Sequence, residues 1–146
     1  LKRLVQELPL GHPVRIVDGD YVPERFYALA KGLEDLPERG LRCQKCIGHR
    51  LEETFRIALQ QPERPDYVCT TLTISPHKDA VFINTKGTEL AQQYGIAWLP
   101  TDFKKKGGYQ RSIVLSREYD LYRQNFCGCV YSRLEAERRE KEMASS

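Results

Sequence analysis

Tyr67-Val68-Cys69-Thr70-Thr71-Leu72-Thr73-Ile74-Ser75 is an unbroken run of apolar and β-branched residues. A strand covered on both faces reads this way, whereas a half-exposed strand alternates apolar with polar. Ser75 and Pro76 then supply an N-cap and a first helical residue. Ile83, Gly87, Leu90, Ala91 and Tyr94 form the buried stripe of the helix that follows, and Gly95 fits its terminating position. Ala97-Trp98-Leu99 returns as a short strand. Strand, helix and strand in this order predict right-handed crossovers and a parallel sheet with helices on both faces, a Rossmann-like α/β fold. Ligands of such sheets bind beyond the carboxyl ends of the strands.

Toward the N-terminus, Val14-Arg15-Ile16-Val17 is a second, shorter β-branched run. A turn at Asp18-Gly19-Asp20 leads to a helix opening near Pro23, with Phe26, Leu29 and Ala30 facing inward. Leu1, Leu4, Val5 and Leu8 have the spacing of the last turns of an amphipathic helix. The chain starts at Leu1 and its one methionine is Met143, so we read it as an N-terminally truncated fragment.

Between the two apolar runs lies Arg42-Cys43-Gln44-Lys45-Cys46, at the head of a helix carrying Cys43, Ile47, Leu51, Phe55 and Leu59 at four-residue steps and ended by Pro62 and Pro65. Two thiols three residues apart on a first helical turn share one face, where the dipole favours thiolates. That is half of a metal site. Cys127-Gly128-Cys129 is its natural complement, because the glycine lets both sulfurs face one point. Five cysteines, an odd number, without an export signal argue for metal binding or redox chemistry over a disulfide framework. Cys69, mid-strand, reads as a packed small hydrophobe. His12, His49 and His77 repeat at no ligand spacing and read as surface residues.

The chain has 146 residues, 40% hydrophobic and 29% charged, which suits one soluble domain with a real core. A net charge of +3 permits a nucleic-acid partner without demanding one. No apolar run approaches the ~20 residues of a membrane-spanning helix, so a cytoplasmic location without membrane contact is the default expectation. After the last strand, Asp102-Phe103-Lys104-Lys105-Lys106-Gly107-Gly108-Tyr109-Gln110-Arg111-Ser112 combines a carboxylate, lysines, a glycine hinge, an aromatic and an arginine at the predicted ligand edge. Its charge suits phosphates, and Tyr109 can stack on a base or donate a proton. The helix beyond it places Ile113, Val114 and Leu121 on a stripe with Arg117 and Asn125, as for a helix lining a polar site. Residues 1–132 are read as a single α/β domain, and residues 133–146 as a charged tail, exposed and helical or frayed.

DYVPERFYALAKGLE from Asp20, PERGLRCQKCIGHRLEET, TTLTISPHK, DFKKKGGYQRS and YRQNFCGCVYS together resemble the QueH family of epoxyqueuosine reductases, in the family's order and over most of the chain. The resemblance implies reduction of epoxyqueuosine in tRNA to queuosine, the last step of queuosine biosynthesis. It implies a 4Fe-4S cluster held by Cys43, Cys46 and an adjacent cysteine pair from a first strand and loop preceding Leu1. The chain as given would lack that first strand and would not be active alone. Cys127 and Cys129 would form a redox-active disulfide or ligate a second iron ion. Asp102 is the candidate metal ligand or proton donor, with Tyr109 as the alternative acid. Lys104, Arg111 and Arg123 are candidates for contacts to tRNA phosphates or substrate hydroxyls. Partners are then tRNA carrying epoxyqueuosine and an external electron donor.

The rival reading from the residues alone is a structural zinc module that binds RNA, with all four paired thiols in one tetrahedral site. A thioredoxin-like oxidoreductase would need its CxxC after an early strand. A nucleotide-binding domain would need a glycine-rich phosphate loop that this sequence does not contain.

Overall fold

Helix α3, Leu41–Leu59, sets the frame. Its four-residue stripe is buried from Cys43 through Phe55, with Phe55 fully enclosed and Leu51 3% exposed, whereas Leu59, the last of the predicted stripe, is exposed at the helix end. Against it pack Ile83 and Leu90 of the helix Ala80–Tyr94, together with Val68, Ile96 and Trp98. The structure is a computed structural model and describes residues 2–145. In chain order the remaining elements are α1 Lys2–Glu7, α2 Pro23–Ala30, β1 Tyr67–Val68, α4 Ala80–Tyr94, β2 Ala97–Trp98, α5 Gly108–Glu118 and α6 Val130–Ala144. Leu1, first of the predicted N-terminal stripe, lies outside the described residues. Leu4, Val5 and Leu8 of that stripe are half-buried.

β1 and β2 pair in parallel, Tyr67 beside Ala97 and Val68 beside Trp98, with α4 as the crossover between them. This is α/β pairing of the expected kind, but two strands do not define a Rossmann-like order. Trp98 lies so close on α4 that a Cβ on Gly87 would come within 2.2 Å of its ring. Asn84 fastens the same corner: its Oδ1 accepts from Trp98 Nε1 at 3.0 Å and from the Thr101 amide at 3.1 Å, and its Nδ2 donates to Thr101 O at 2.9 Å.

The long strand read over Tyr67–Ser75 stops after Val68 and gives way to a 3-10 turn at Leu72–Ile74. The threonines that look β-forming in sequence use their hydroxyls locally. Thr70 Oγ1 accepts from Leu72 N at 3.2 Å, while the fully buried Thr73 Oγ1 bonds Thr101 Oγ1 at 3.0 Å and accepts from Phe103 N at 3.3 Å. Such bonds compete with a strand ladder. Cys69 is exposed where a buried thiol was expected. The next helix starts at Ala80 and not at Pro76: Ser75 Oγ caps only a local turn by accepting from His77 N at 3.2 Å. Asp79 Oδ1, accepting from Val81 N and Phe82 N at 3.0 Å each, is the helix cap.

Val14–Val17 is not a strand, and Val14 and Val17 are exposed. Helix α5 ends at Glu118, and Asp120 takes a positive φ of 46°, so Leu121 and Asn125 fall outside the helical stripe expected for them. The charged C-terminal segment is helical and does not hang free. Ser132 and Ala136 of α6 are buried, and Glu135 reaches Arg42 at the start of α3.

Candidate functional site

The first turn of α3 is entered through Arg39, held at a left-handed φ of 72°, and the extended Gly40. Cys43 is buried against the core and Cys46, three residues on, is partly exposed on the same side. Arg42, immediately before the first thiol, is 2% exposed. Its Nη1 donates to the carbonyls of Leu33 and Glu34. The guanidinium stacks 4.8 Å from the Tyr131 ring centroid and stands 3.8 Å from Glu135 Oε1. Arg42 Nε and Nη2 are enclosed with no hydrogen-bond partner among the described residues.

The late pair is built by a turn. Gly128 adopts φ 96°, which strains any side chain, and doubles the chain back so that Cys127 Sγ and Cys129 Sγ lie 3.6 Å apart. Ser132, on the first turn of α6, serves both sulfurs: its Oγ is 3.0 Å from Cys127 Sγ and 3.5 Å from Cys129 Sγ. Cys129 Sγ caps α6 by accepting from Ser132 N at 3.4 Å. The pair shares a proton unequally. The hydrogen bond from Cys127 lowers the Cys129 thiol to about 5 against the opposing effect of burial, helped by the Ser132 hydroxyl and amide and by the charge of Arg42. Cys127 is pushed up by the same contact and by burial, so it keeps the proton.

Cys43, Cys46, Cys127 and Cys129 line one narrow cleft, with Arg42 and Lys78 in its wall and Phe26, Ile47 and Leu72 supplying apolar surface. Lys78 Nζ donates to Glu38 Oε1 at 2.9 Å. Burial depresses the pKa of this lysine, but the Glu38 bond and the charges of Cys127, Glu38 and Cys43 outweigh burial, and the net shift is upward. A larger groove adjoins the cleft, and its polar lining comes from Glu38, His77, Lys78, Tyr109, Arg123, Gln124, Asn125 and Arg139, with Cys127 at the border. The Arg123 guanidinium lies 5.9 Å from the Tyr109 ring centroid and donates to Ser116 Oγ at 2.9 Å and Ser112 O at 3.2 Å.

A profile described as "Epoxyqueuosine reductase QueH" matches residues 1–135 of this chain. The chain belongs to the epoxyqueuosine reductase QueH family. Proteins named epoxyqueuosine reductase QueH are 43% identical to it in Streptococcus pyogenes serotype M1, over 84% of this chain and 47% of the relative. The corresponding figures are 40%, 84% and 51% for Staphylococcus epidermidis, and 39%, 84% and 64% for Thermotoga maritima. The chain thus spans about half the length of the first two relatives and under two thirds of the third.

Within this QueH-family chain, the structure brings together some of the residues singled out in the sequence and leaves others apart. The four paired cysteines converge on the cleft, and Tyr109 and Arg123 share the adjoining groove. Asp102 borders neither. It accepts from Lys104 Nζ at 2.7 Å and lies 3.4 Å from Lys105 Nζ. The Lys104 bond, outweighing the contrary effect of desolvation, lowers its pKa, so Asp102 is a carboxylate and an acceptor near neutral pH. Lys104 is committed to that pair, and Arg111 stands exposed on α5. No group of three or more His, Cys, Asp or Glu among the described residues is arranged to hold a metal ion. No helix among the described residues is long and apolar enough to cross a membrane.

Arg42, Lys78 and Ser132 were not legible as site residues. The available signals were an arginine one position from a cysteine of the buried stripe, a lysine just after the Ser75-Pro76 helix start predicted at the strand's end, and a serine three residues after Cys129.

Proposed function

We propose that this chain acts in the reduction of epoxyqueuosine in tRNA to queuosine, with the thiol cleft as the electron-handling site and the polar groove as the seat of the nucleoside. The observation that carries this reading is the convergence of four thiols, from two regions far apart in sequence, on a single cleft beside a basic, aromatic groove. In the reaction both C–O bonds of the epoxide break and a C=C bond forms. Two electrons and two protons are taken up, and the oxygen leaves as water. A 4Fe-4S cluster, when bound, supplies electrons singly from an external donor, which a closed-shell side chain does not do.

Cys43 and Cys46 are the residues of this chain that would hold such a cluster. Two features support the fit: soft thiol donors on adjacent positions of a helical face, and the enclosed Nε of Arg42, which has no hydrogen-bond partner among the described residues and belongs to a cation suited to an anionic cluster. The chain offers two thiols there, and a cluster of this type takes four. Cys127 and Cys129 act as a redox dithiol in this reading. Their 3.6 Å separation and shared Ser132 hydroxyl favour it, since a small closure brings the sulfurs to bonding distance. Asp102, paired with lysines outside the cleft, has no proton-donor role in it.

The test is anaerobic reconstitution of the protein, with iron and sulfide quantified and turnover of epoxyqueuosine-tRNA assayed. The reading expects a brown protein that bleaches under dithionite, Cys43→Ser that loses iron, and Cys129→Ser that keeps the cluster and loses turnover. Iron in excess of the cluster that disappears in Cys129→Ser would reassign the late pair as ligands of a second iron. A colourless protein with zinc on all four thiols and no turnover would replace the enzyme with a structural RNA-binding module.

A further inference from the structure

Leu72, Lys78 and Cys127 border both the thiol cleft and the polar groove, and of these only Lys78 is a cation. Its side chain is 11% exposed, and its Nζ is moored 2.9 Å from Glu38 Oε1. The backbone on either side is fixed. Lys78 N donates to Ser75 O at 3.2 Å, and the next residue, Asp79, caps α4. The stem therefore springs from a rigid point toward the place where the two cavities meet. An ammonium offers three donors. Glu38 takes one, which leaves donors for an acceptor that arrives beside Cys127.

We infer that Lys78 is a catalytic residue that holds the epoxide oxygen of the nucleoside at the junction of groove and cleft. The inference rests on the reductase reading above and adds the group that grips the departing atom. Seated in the groove, the nucleoside turns its cyclic ether toward the thiols, and the ammonium meets the oxygen from the wall. As a C–O bond breaks, that oxygen gains negative charge, and a cation already in place favours the charged arrangement over the neutral ground state. Lys78 acts by charge and keeps its own protons. The two electrons come from the external donor and the two protons from water, and the oxygen departs as water.

Equilibrium binding without reductant isolates this contact, because queuosine lacks the oxygen that epoxyqueuosine carries. The probes are two anticodon stem-loops, one bearing each nucleoside. Lys78→Met with Glu38→Gln removes the buried pair together, Lys78→Arg preserves the charge, and thermal melting checks that each variant is folded. Wild type should prefer the epoxyqueuosine stem-loop by roughly tenfold or more, the worth of a charged hydrogen bond. The double variant should bind both alike, with its affinity for the queuosine stem-loop unchanged, and Lys78→Arg should keep part of the preference. A double variant that discriminates as wild type does, or a wild type that never discriminates, overturns the role of Lys78 and leaves the reductase reading standing. Wild type that binds neither stem-loop and shows no turnover overturns both.

Discussion

The two halves of the molecule that supply the thiols are built differently. The half containing α3, β1, α4 and β2 is held by apolar burial, with Phe55 and Ile83 fully enclosed and Leu51, Leu90 and Ile96 nearly so. The half containing α5 and α6 has little of this: α5 buries no residue fully, and α6 buries only Ser132 and Ala136 among the described residues. What fastens α6 is polar and aromatic, the Arg42 stack on Tyr131, the Arg42–Glu135 ion pair and a tilted Phe26–Tyr131 contact at 5.9 Å. Cys43 and Cys46 therefore sit on the rigid half and Cys127 and Cys129 on the half whose docking rests on a few directional contacts. The two pairs thus stand on supports of unequal strength.

Four substitutions break or sharpen this contrast. Phe55→Ala should be the most damaging, costing about 3–5 kcal/mol through the cavity it leaves in the core, read by urea unfolding. A loss below about 1 kcal/mol would show that the first half is not packed as described.

Arg42→Met should be milder overall and local, about 1–3 kcal/mol for the lost stack and the bonds to the Leu33 and Glu34 carbonyls. Hydrogen exchange is the discriminating measurement. Protection should fall in α6 and stay in α3 and α4, and equal loss in both halves would sink the contrast.

Ser132→Ala tests the late pair. In the native chain, alkylation of Cys129 should stay fast as pH is lowered and slow only through about 5, because its thiolate is protonated there and not near the ordinary thiol value of 9.0. Removing the hydroxyl takes away one stabilising donor, so that midpoint should move upward. An unchanged profile would remove Ser132 from the site. Asp79→Ala should have the smallest effect, about 1 kcal/mol from loss of two cap bonds, read as a modest drop in melting temperature with unchanged Cys129 reactivity.

The same contrast governs what the sequence made legible. The stripe from Cys43 to Phe55, the Gly95 stop and the parallel pairing of the runs at Tyr67 and Ala97 follow from local periodicity, and the apolar half obeys it. The extent of the first strand did not follow, because Thr70 spends its hydroxyl on the Leu72 amide and Thr73 spends its own on Thr101, twenty-eight residues away, whose hydroxyl also donates to the Thr70 carbonyl. The Cys-Gly-Cys turn announced its shape through its glycine. Its meeting with Cys43 did not follow from spacing, since it depends on a guanidinium, a ring and a carboxylate brought together from α3 and α6. Arg42 was invisible for a related reason: an arginine next to a buried stripe reads as solvated until a ring is found lying over it.

Arg42 ties the joint between the halves to one residue. Its Nη1 bonds stay on the Leu33 and Glu34 carbonyls ahead of α3, while its ring stack and ion pair both reach into α6. Lifting α6 therefore uncovers the guanidinium and parts the sulfur pairs in one movement.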